Sequence, residues 1–162
     1  MSDVPIKPSV ADMVEIKIKL LDEGLQLPQY QHSGDAGLDL SSRVALTLDP
    51  GERALIPTGV SLSIPNGYAG FVLPRSGLAV RHGIALVNSP GLIDSGYRGE
   101  IALIIINTDK SQPFRLERGD RVAQLVIQKV EEVVLVRVSE LDATERGVGG
   151  FESTGRSRSR IS

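Results

Sequence analysis

Asp94 is the residue best placed to do chemistry. It lies in Val87-Asn88-Ser89-Pro90-Gly91-Leu92-Ile93-Asp94-Ser95-Gly96-Tyr97-Arg98-Gly99-Glu100-Ile101. Apolar runs flank this stretch, Ile84 to Val87 before and Ile101 to Ile106 after. Its Gly and Pro residues give a tight, defined loop. A β-hairpin of this kind can offer backbone N–H and C=O groups to a small polar ring. It can also hold Asp94 beside whatever is bound. The same residues suit a long hairpin whose Asp only caps a turn.

Other positions could serve a charged ligand. Pro74-Arg75-Ser76-Gly77-Leu78 opens a short helical segment ending at Gly83, where Arg, Ser and free N–H groups make an anion site or an N-cap with a surface Arg. Asp39, in Ala36-Gly37-Leu38-Asp39-Leu40, points away from its two Leu neighbours if the strand is extended, toward a surface or cleft. There it could meet magnesium through water or simply be solvated. Gln124, in an otherwise apolar strand, could donate to a phosphate oxygen or face solvent. Gly150 to Ser157 reads G-x-x-x-x-G-R-S, one residue from a phosphate loop. The few residues that follow exclude a P-loop NTPase, yet Gly amides, hydroxyls, Arg146 and Arg156 can still wrap phosphates.

The elements that must position these groups are short strands. Val14 to Leu20 alternates apolar and polar residues. Further strands are expected at Val44–Leu48, Ala54–Ile64 (broken by Pro57 and Gly59), Tyr68–Leu73, Arg121–Ile127 and Val133–Val138. Asn66-Gly67 is a hairpin signal. Ile101 to Ile106 is apolar at every position, which predicts burial on both faces, one of them against another subunit. Regular short strands separated by turns predict an all-β sandwich or barrel with one short helix. Residues 1–13 read as a flexible lead-in, 14–141 as the β domain, and 142–162 as a Gly/Arg-rich tail. Phe151 stands alone in that polar tail, as if it orders over a ligand.

Composition narrows the function. The 162 residues are 41% hydrophobic but only 4% aromatic, so the core is aliphatic. A net charge of -2 argues against a nucleic-acid surface. No Cys and two His leave no thiolate site and no ligands for a His-rich zinc centre. No run approaches the ~20 apolar residues of a membrane span, and the N-terminus lacks the apolar centre of a signal peptide. A cytoplasmic protein is expected.

Taken together, five segments resemble, in order, the five motifs of the trimeric deoxyuridine triphosphatases (dUTP pyrophosphatases). They are Ala36–Leu40, Pro74–Leu78, Val87–Ile101, Arg118-Gly119-Asp120-Arg121-Val122-Ala123-Gln124-Leu125, and Arg146–Gly155. The resemblance implies a distorted jelly-roll fold and a homotrimer with shared active sites. It implies dUTP as substrate, and dUMP and pyrophosphate as products. It makes Asp94 the base for a water attacking the α-phosphorus, and Asp39 the holder, through water, of Mg²⁺. Asn88 and the backbone of Leu92, Ile93 and Asp94 would read uracil, and Tyr97 would exclude a 2′-hydroxyl. Ala102 would add a backbone contact. Arg75, Ser76, Gly77 and Gln124 would hold phosphates. Arg146, Phe151, Ser153 and Thr154 would close as a lid. One departure is Glu152, where the family has Gly. The nearest alternative, a dCTP deaminase, shares the fold but commonly uses a Glu to activate water at ring position 4.

Overall fold

The computed structural model describes residues 13–149. The lead-in before Met13 and the tail residues Phe151, Glu152, Ser153 and Thr154 lie outside them. The chain divides into two units between Glu132 and Val133.

The described residues of the first unit hold eleven strands and one helix. β1 (Lys17–Leu20) pairs with β5 (Val60–Ser63), and β3 (Leu46–Leu48) with β10 (Phe114–Leu116). A four-stranded sheet runs β2 (Leu38–Ser41), β11 (Arg121–Lys129), β6 (Tyr68–Pro74), β8 (Gly91–Ile93). A three-stranded sheet runs β4 (Arg53–Pro57), β9 (Ala102–Asn107), β7 (Ile84–Leu86). All pairs are antiparallel. This is the expected distorted jelly roll. The helix α1 spans Ser76–His82 and ends at Gly83 in the left-handed conformation, φ 64°. Arg75, not Ser76, is the N-cap, and it caps with no side-chain hydrogen bond.

The core is aliphatic, as the composition requires. Leu40, Leu48, Ile56, Ile101, Leu103, Ile105, Leu116 and Leu125 are almost water-free. Burying each stabilises the fold by roughly 1.5–3 kcal/mol before chain entropy is counted. Inside this core Asn107 is fully buried. Its Nδ2 donates to Leu48 O at 3.0 Å and Gln112 O at 2.9 Å, and its Oδ1 accepts from Asp109 N at 2.9 Å. Asn107→Ala strands those partners, and we expect a loss of about 2–3 kcal/mol, measured by urea unfolding. A change below about 0.5 kcal/mol would show that the bonds are readily replaced.

Two expectations are corrected and a third is met on one face. Asn66-Gly67 does form a turn, with Gly67 at φ 81°. It joins no hairpin, however, because β5 and β6 belong to different sheets. Ile101–Ile106 is buried on one face within the chain, and the other face, expected to meet another subunit, is half-open. Ile101, Leu103 and Ile105 face the core, Ala102 is exposed, and Ile104 and Ile106 are half-buried. The outer face continues across β4, where Leu55 opposite Ile104 is 65% exposed. Finally, Val133–Val138 forms no strand. It lies in the second unit, whose described residues contain neither strand nor helix. An extended apolar run needs a neighbouring strand to satisfy its backbone, and no strand pairing is formed by this one among the described residues. Its valines and Leu135 are exposed.

Candidate active site

The first group of candidate residues is gathered by the four-stranded sheet. Asp39 on β2 stands opposite Gln124 on β11, and Gln124 stands opposite Leu73 on β6. Two residues after Leu73, Arg75 leaves the sheet to start α1. Asp39 Oδ2 accepts from Arg121 Nη1 at 3.0 Å, and Arg75 Nε lies 3.4 Å from Asp39 Oδ1. Arg75 Nη1 also donates to the carbonyl of Arg121 at 2.8 Å. Asp39 lines two clefts, as an outward-pointing residue should, but it is only 6% exposed. Plain solvation is therefore not its role. An ionised carboxylate this buried costs several kcal/mol unless paired, and the two guanidinium groups offset that cost.

The larger cleft, about 620 Å³, is lined by Asp35, Asp39, Arg75, Arg121 and Gln124 among others. At its edge the amides of His32 and Gln31 donate to the Asp35 carboxylate at 2.8 and 3.1 Å. The His32 amide, first of these, holds that carboxyl below its ordinary range. The wall of the cleft thus carries two arginines and an amide suited to polyanion oxygens, and two carboxylates.

Arg121 is the residue that sequence reasoning passed over. From Gln124 at period two, Arg121 falls on the opposite face, with Ala123. The β11–β2 register shifts between Arg121 and Ala123, and Val122 and Ala123 are both buried. That bulge inverts the parity and brings Arg121 onto the cleft side with Gln124. A basic residue just after Gly119-Asp120 was the available signal.

The residues fit a hydrated Mg²⁺ that shares its ligands with a triphosphate. Asp39 Oδ1 is buried with no hydrogen-bond partner among the described residues. No group of three or more His, Cys, Asp or Glu there could hold a bare ion. Magnesium keeps several waters and takes one or two carboxylates plus phosphate oxygens, which matches this single carboxylate, whose Oδ1 has an ion-pair neighbour in Arg75 but no hydrogen bond.

The second group sits on the loop from 87 to 101. Its arms pair as expected, β7 with β9, and Val87 N extends the pairing to Ile104 O at 2.8 Å. Unforeseen is β8 within the loop, which pairs with β6 through Gly70–Ile93, Phe71–Leu92 and Val72–Gly91. Gly70 permits this approach, because a Cβ there would come to 3.0 Å from Leu125 and 3.3 Å from Ile93. The loop is therefore a braced platform. Just past β8, Asp94 is exposed, and its carboxylate makes no hydrogen bond or ion pair with any described residue. Its carbonyl accepts from Tyr97 N at 3.1 Å, closing a turn. Tyr97 lies folded back on that turn, its hydroxyl donating to Glu100 O at 2.9 Å. A Cβ on Gly99 would collide with the ring where it now lies, so glycine lets the ring rest there. Asn88, Leu92 and Tyr97 are also exposed.

The two groups do not converge within one chain. Neither cleft lined by Asp39 contains Asn88, Leu92, Ile93, Asp94, Tyr97 or Ala102. Ser76 and Gly77 open α1 beside Arg75 but line neither cleft. Arg146 belongs to the second unit, where its Nε donates to Gly149 O at 3.1 Å.

Comparison with known proteins bears on both groups. The dUTPase family model matches residues 23–155. A deoxyuridine 5'-triphosphate nucleotidohydrolase of Thermobifida fusca is 54% identical over 142 residues, 88% of this chain and 79% of that one. The enzyme of the same name from Corynebacterium glutamicum is 50% identical over 147 residues, 91% of this chain and 99% of that one. Among solved structures, a Staphylococcus bacteriophage 80alpha dUTPase mutant with dUpNHpp superposes with TM-score 0.81 at 31% identity, covering 87% of this chain and 98% of that one. A phage phi11 dUTPase mutant, described as revealing the coordination of a structural Mg(II) ion, gives TM-score 0.73 at 28% identity, covering 80% and 99%.

Proposed function

The chain belongs to the dUTPase family, and on that premise we propose that it is a homotrimeric dUTP diphosphatase that releases dUMP and pyrophosphate. The observation carrying the shared-site reading is the separation just described. A free carboxylate stands on a braced hairpin, and a cationic cleft lies apart from it. Each becomes a working half only if hairpin and cleft from different chains face each other. The half-open apolar face of Leu55, Ala102, Ile104 and Ile106 suits burial against a neighbouring copy. So does the unpaired run from Val133 to Val138.

In this reading Asp94 holds a water by its carboxylate and takes its proton as the oxygen attacks the α-phosphorus. Pyrophosphate leaves with the electron pair of the broken P–O bond. Positioning dominates such a step, which is why a platform fixed on β6 matters. Arg75, Arg121 and Gln124 bind triphosphate oxygens, with the Ser76 and Gly77 amides at the start of α1. Asp39 holds Mg²⁺ through water, and when bound the ion neutralises charge on the phosphates. Asn88 and the backbone of Leu92, Ile93 and Asp94 pair with the uracil edge, with Ala102 adding a backbone contact. Cytosine would leave those polar groups unpaired, a cost of several kcal/mol. Tyr97 closes the sugar pocket against a 2′-hydroxyl. Arg146 and the tail with Phe151, Ser153 and Thr154 close over the bound nucleotide and exclude water. The cellular role is to keep uracil out of DNA and to supply dUMP for dTMP synthesis, in the cytoplasm.

Hydrolysis in ¹⁸O-labelled water tests the chemistry. The label is expected in dUMP and not in pyrophosphate. Label in pyrophosphate would place the attack on the β-phosphorus. Ammonia released from dCTP, with no pyrophosphate from dUTP, would make the chain a deaminase.

A further inference from the structure

The exit of the hairpin is fastened to the 58–60 segment by more than strand pairing. Ile101 N donates to Val60 O at 2.9 Å, and Ile101 O accepts from Thr58 Oγ1 at 2.6 Å and Thr58 N at 3.2 Å. One residue earlier, Glu100 reaches the same segment with its side chain. Its Oε1 accepts from Gly59 N at 2.8 Å, and its Oε2 accepts from Arg43 Nη1 at 3.3 Å. Arg43 in turn lies 3.9 Å from Asp22, which is gripped by Arg118 at 2.7 Å. The Glu100 side chain is only 25% exposed. At the same residue, the carbonyl of Glu100 is the acceptor for the Tyr97 hydroxyl.

Glu100 thus ties together two things that the mechanism leaves separate. Its backbone sets where the Tyr97 ring ends, and its side chain adds to the Ile101 N–Val60 O bond of the same peptide in setting where that backbone sits. We propose that Glu100 is a positioning residue for sugar selection. By latching onto the Gly59 amide and Arg43, it fixes the carbonyl that holds Tyr97 against the 2′ side of the bound nucleoside. The charge-assisted bond from the Gly59 N–H, at 2.8 Å, is short and directional and suits holding an angle, and the longer Arg43 contact at 3.3 Å adds charge beside it. Rejection of a hydroxyl by exclusion depends on that angle. A ring free to swing by an ångström or two admits the extra oxygen, whereas the deoxy substrate loses little.

This inference rests on the reading of Tyr97 as the sugar wall, and its test separates the two. kcat/KM for dUTP and for UTP is measured by pyrophosphate release for the wild type, Glu100→Ala, Glu100→Gln and Tyr97→Ala. Melting temperature and oligomeric state are recorded alongside. Glu100→Ala is expected to narrow the dUTP/UTP ratio roughly tenfold or more, mainly through UTP. Glu100→Gln, whose amide oxygen can still accept from Gly59 N, should restore most of the ratio. Should the Ala variant fail to fold, Glu100→Asp keeps the charge but not the reach, and is expected to narrow the ratio in the same direction. A ratio left unchanged while both rates fall would overturn the proposal and leave Glu100 as a purely structural brace. If Tyr97→Ala itself leaves the ratio unchanged, the sugar-wall reading fails first and the role of Glu100 falls with it.

Discussion

Asp94→Asn is expected to reduce dUTP turnover by about three orders of magnitude or more, while dUTP still binds to the folded protein. The substitution keeps size, shape and one acceptor oxygen. It removes the negative charge and the ability to take a proton from water. General bases contribute roughly 10²–10⁴-fold, and loss of water orientation adds to that. The fold should not notice. Asp94 is exposed, its carboxylate bonds to no described residue, and only its carbonyl closes the turn with Tyr97 N. Binding should persist because the groups proposed to read uracil, Asn88 and the β8 backbone, and the arginines proposed to hold phosphate are all untouched. Single-turnover kinetics beside equilibrium binding checks this. Near-normal rates would remove Asp94 as the base. Loss of binding and rate together would make it a structural part of the hairpin.

The second large effect comes from mixing two dead variants. Arg75→Ala disables the cleft and Asp94→Asn disables the hairpin, and homotrimers of either should be nearly inactive. Co-refolding them in equal amounts should restore activity. If each site takes Asp94 from one chain and Arg75 from another, random assembly leaves about one site in four with both residues intact, so about a quarter of the wild-type rate is expected. If both residues served the same site from one chain, every chain would carry one defect and no activity would return. The geometry supports the first outcome, because the Asp39–Arg75–Arg121–Gln124 cleft includes no residue of the hairpin. Pre-assembled oligomers mixed without unfolding provide the control, since chains that do not exchange should not complement.

How far the residues themselves announced this arrangement differs from element to element. The hairpin arms were plain, because apolar runs on both sides of a Gly/Pro-rich loop have few other solutions. That β8 would leave the loop to pair with β6 was not, since Gly91–Ile93 is three residues long and its partner is distant in sequence. Asp39 was rightly sent toward a cleft by strand parity. Its burial between two arginines depends on where Arg75 and Arg121 arrive, and no local pattern encodes that. Arg121 was hidden by a bulge, which breaks the period-two rule that otherwise assigns faces. Ile101–Ile106 and Val133–Val138 differ again. Their apolar character was read correctly, but a single chain does not satisfy it, so one became a half-open sheet face and the other an unpaired segment. Glu100 carries no local signal that sets it apart within the Val87–Ile101 stretch. Its meaning comes from Gly59, 41 positions away.

The most direct measurement is pyrophosphate release from each of the dNTPs and from UTP, with and without Mg²⁺, on the intact protein. Rapid release from dUTP that depends on Mg²⁺, with little from dCTP, dTTP or UTP, is the expected result. Comparable release from dCTP or UTP, or tight dUTP binding with no release in Mg²⁺, would contradict a uracil- and deoxyribose-selective diphosphatase built on Asp94 and Tyr97.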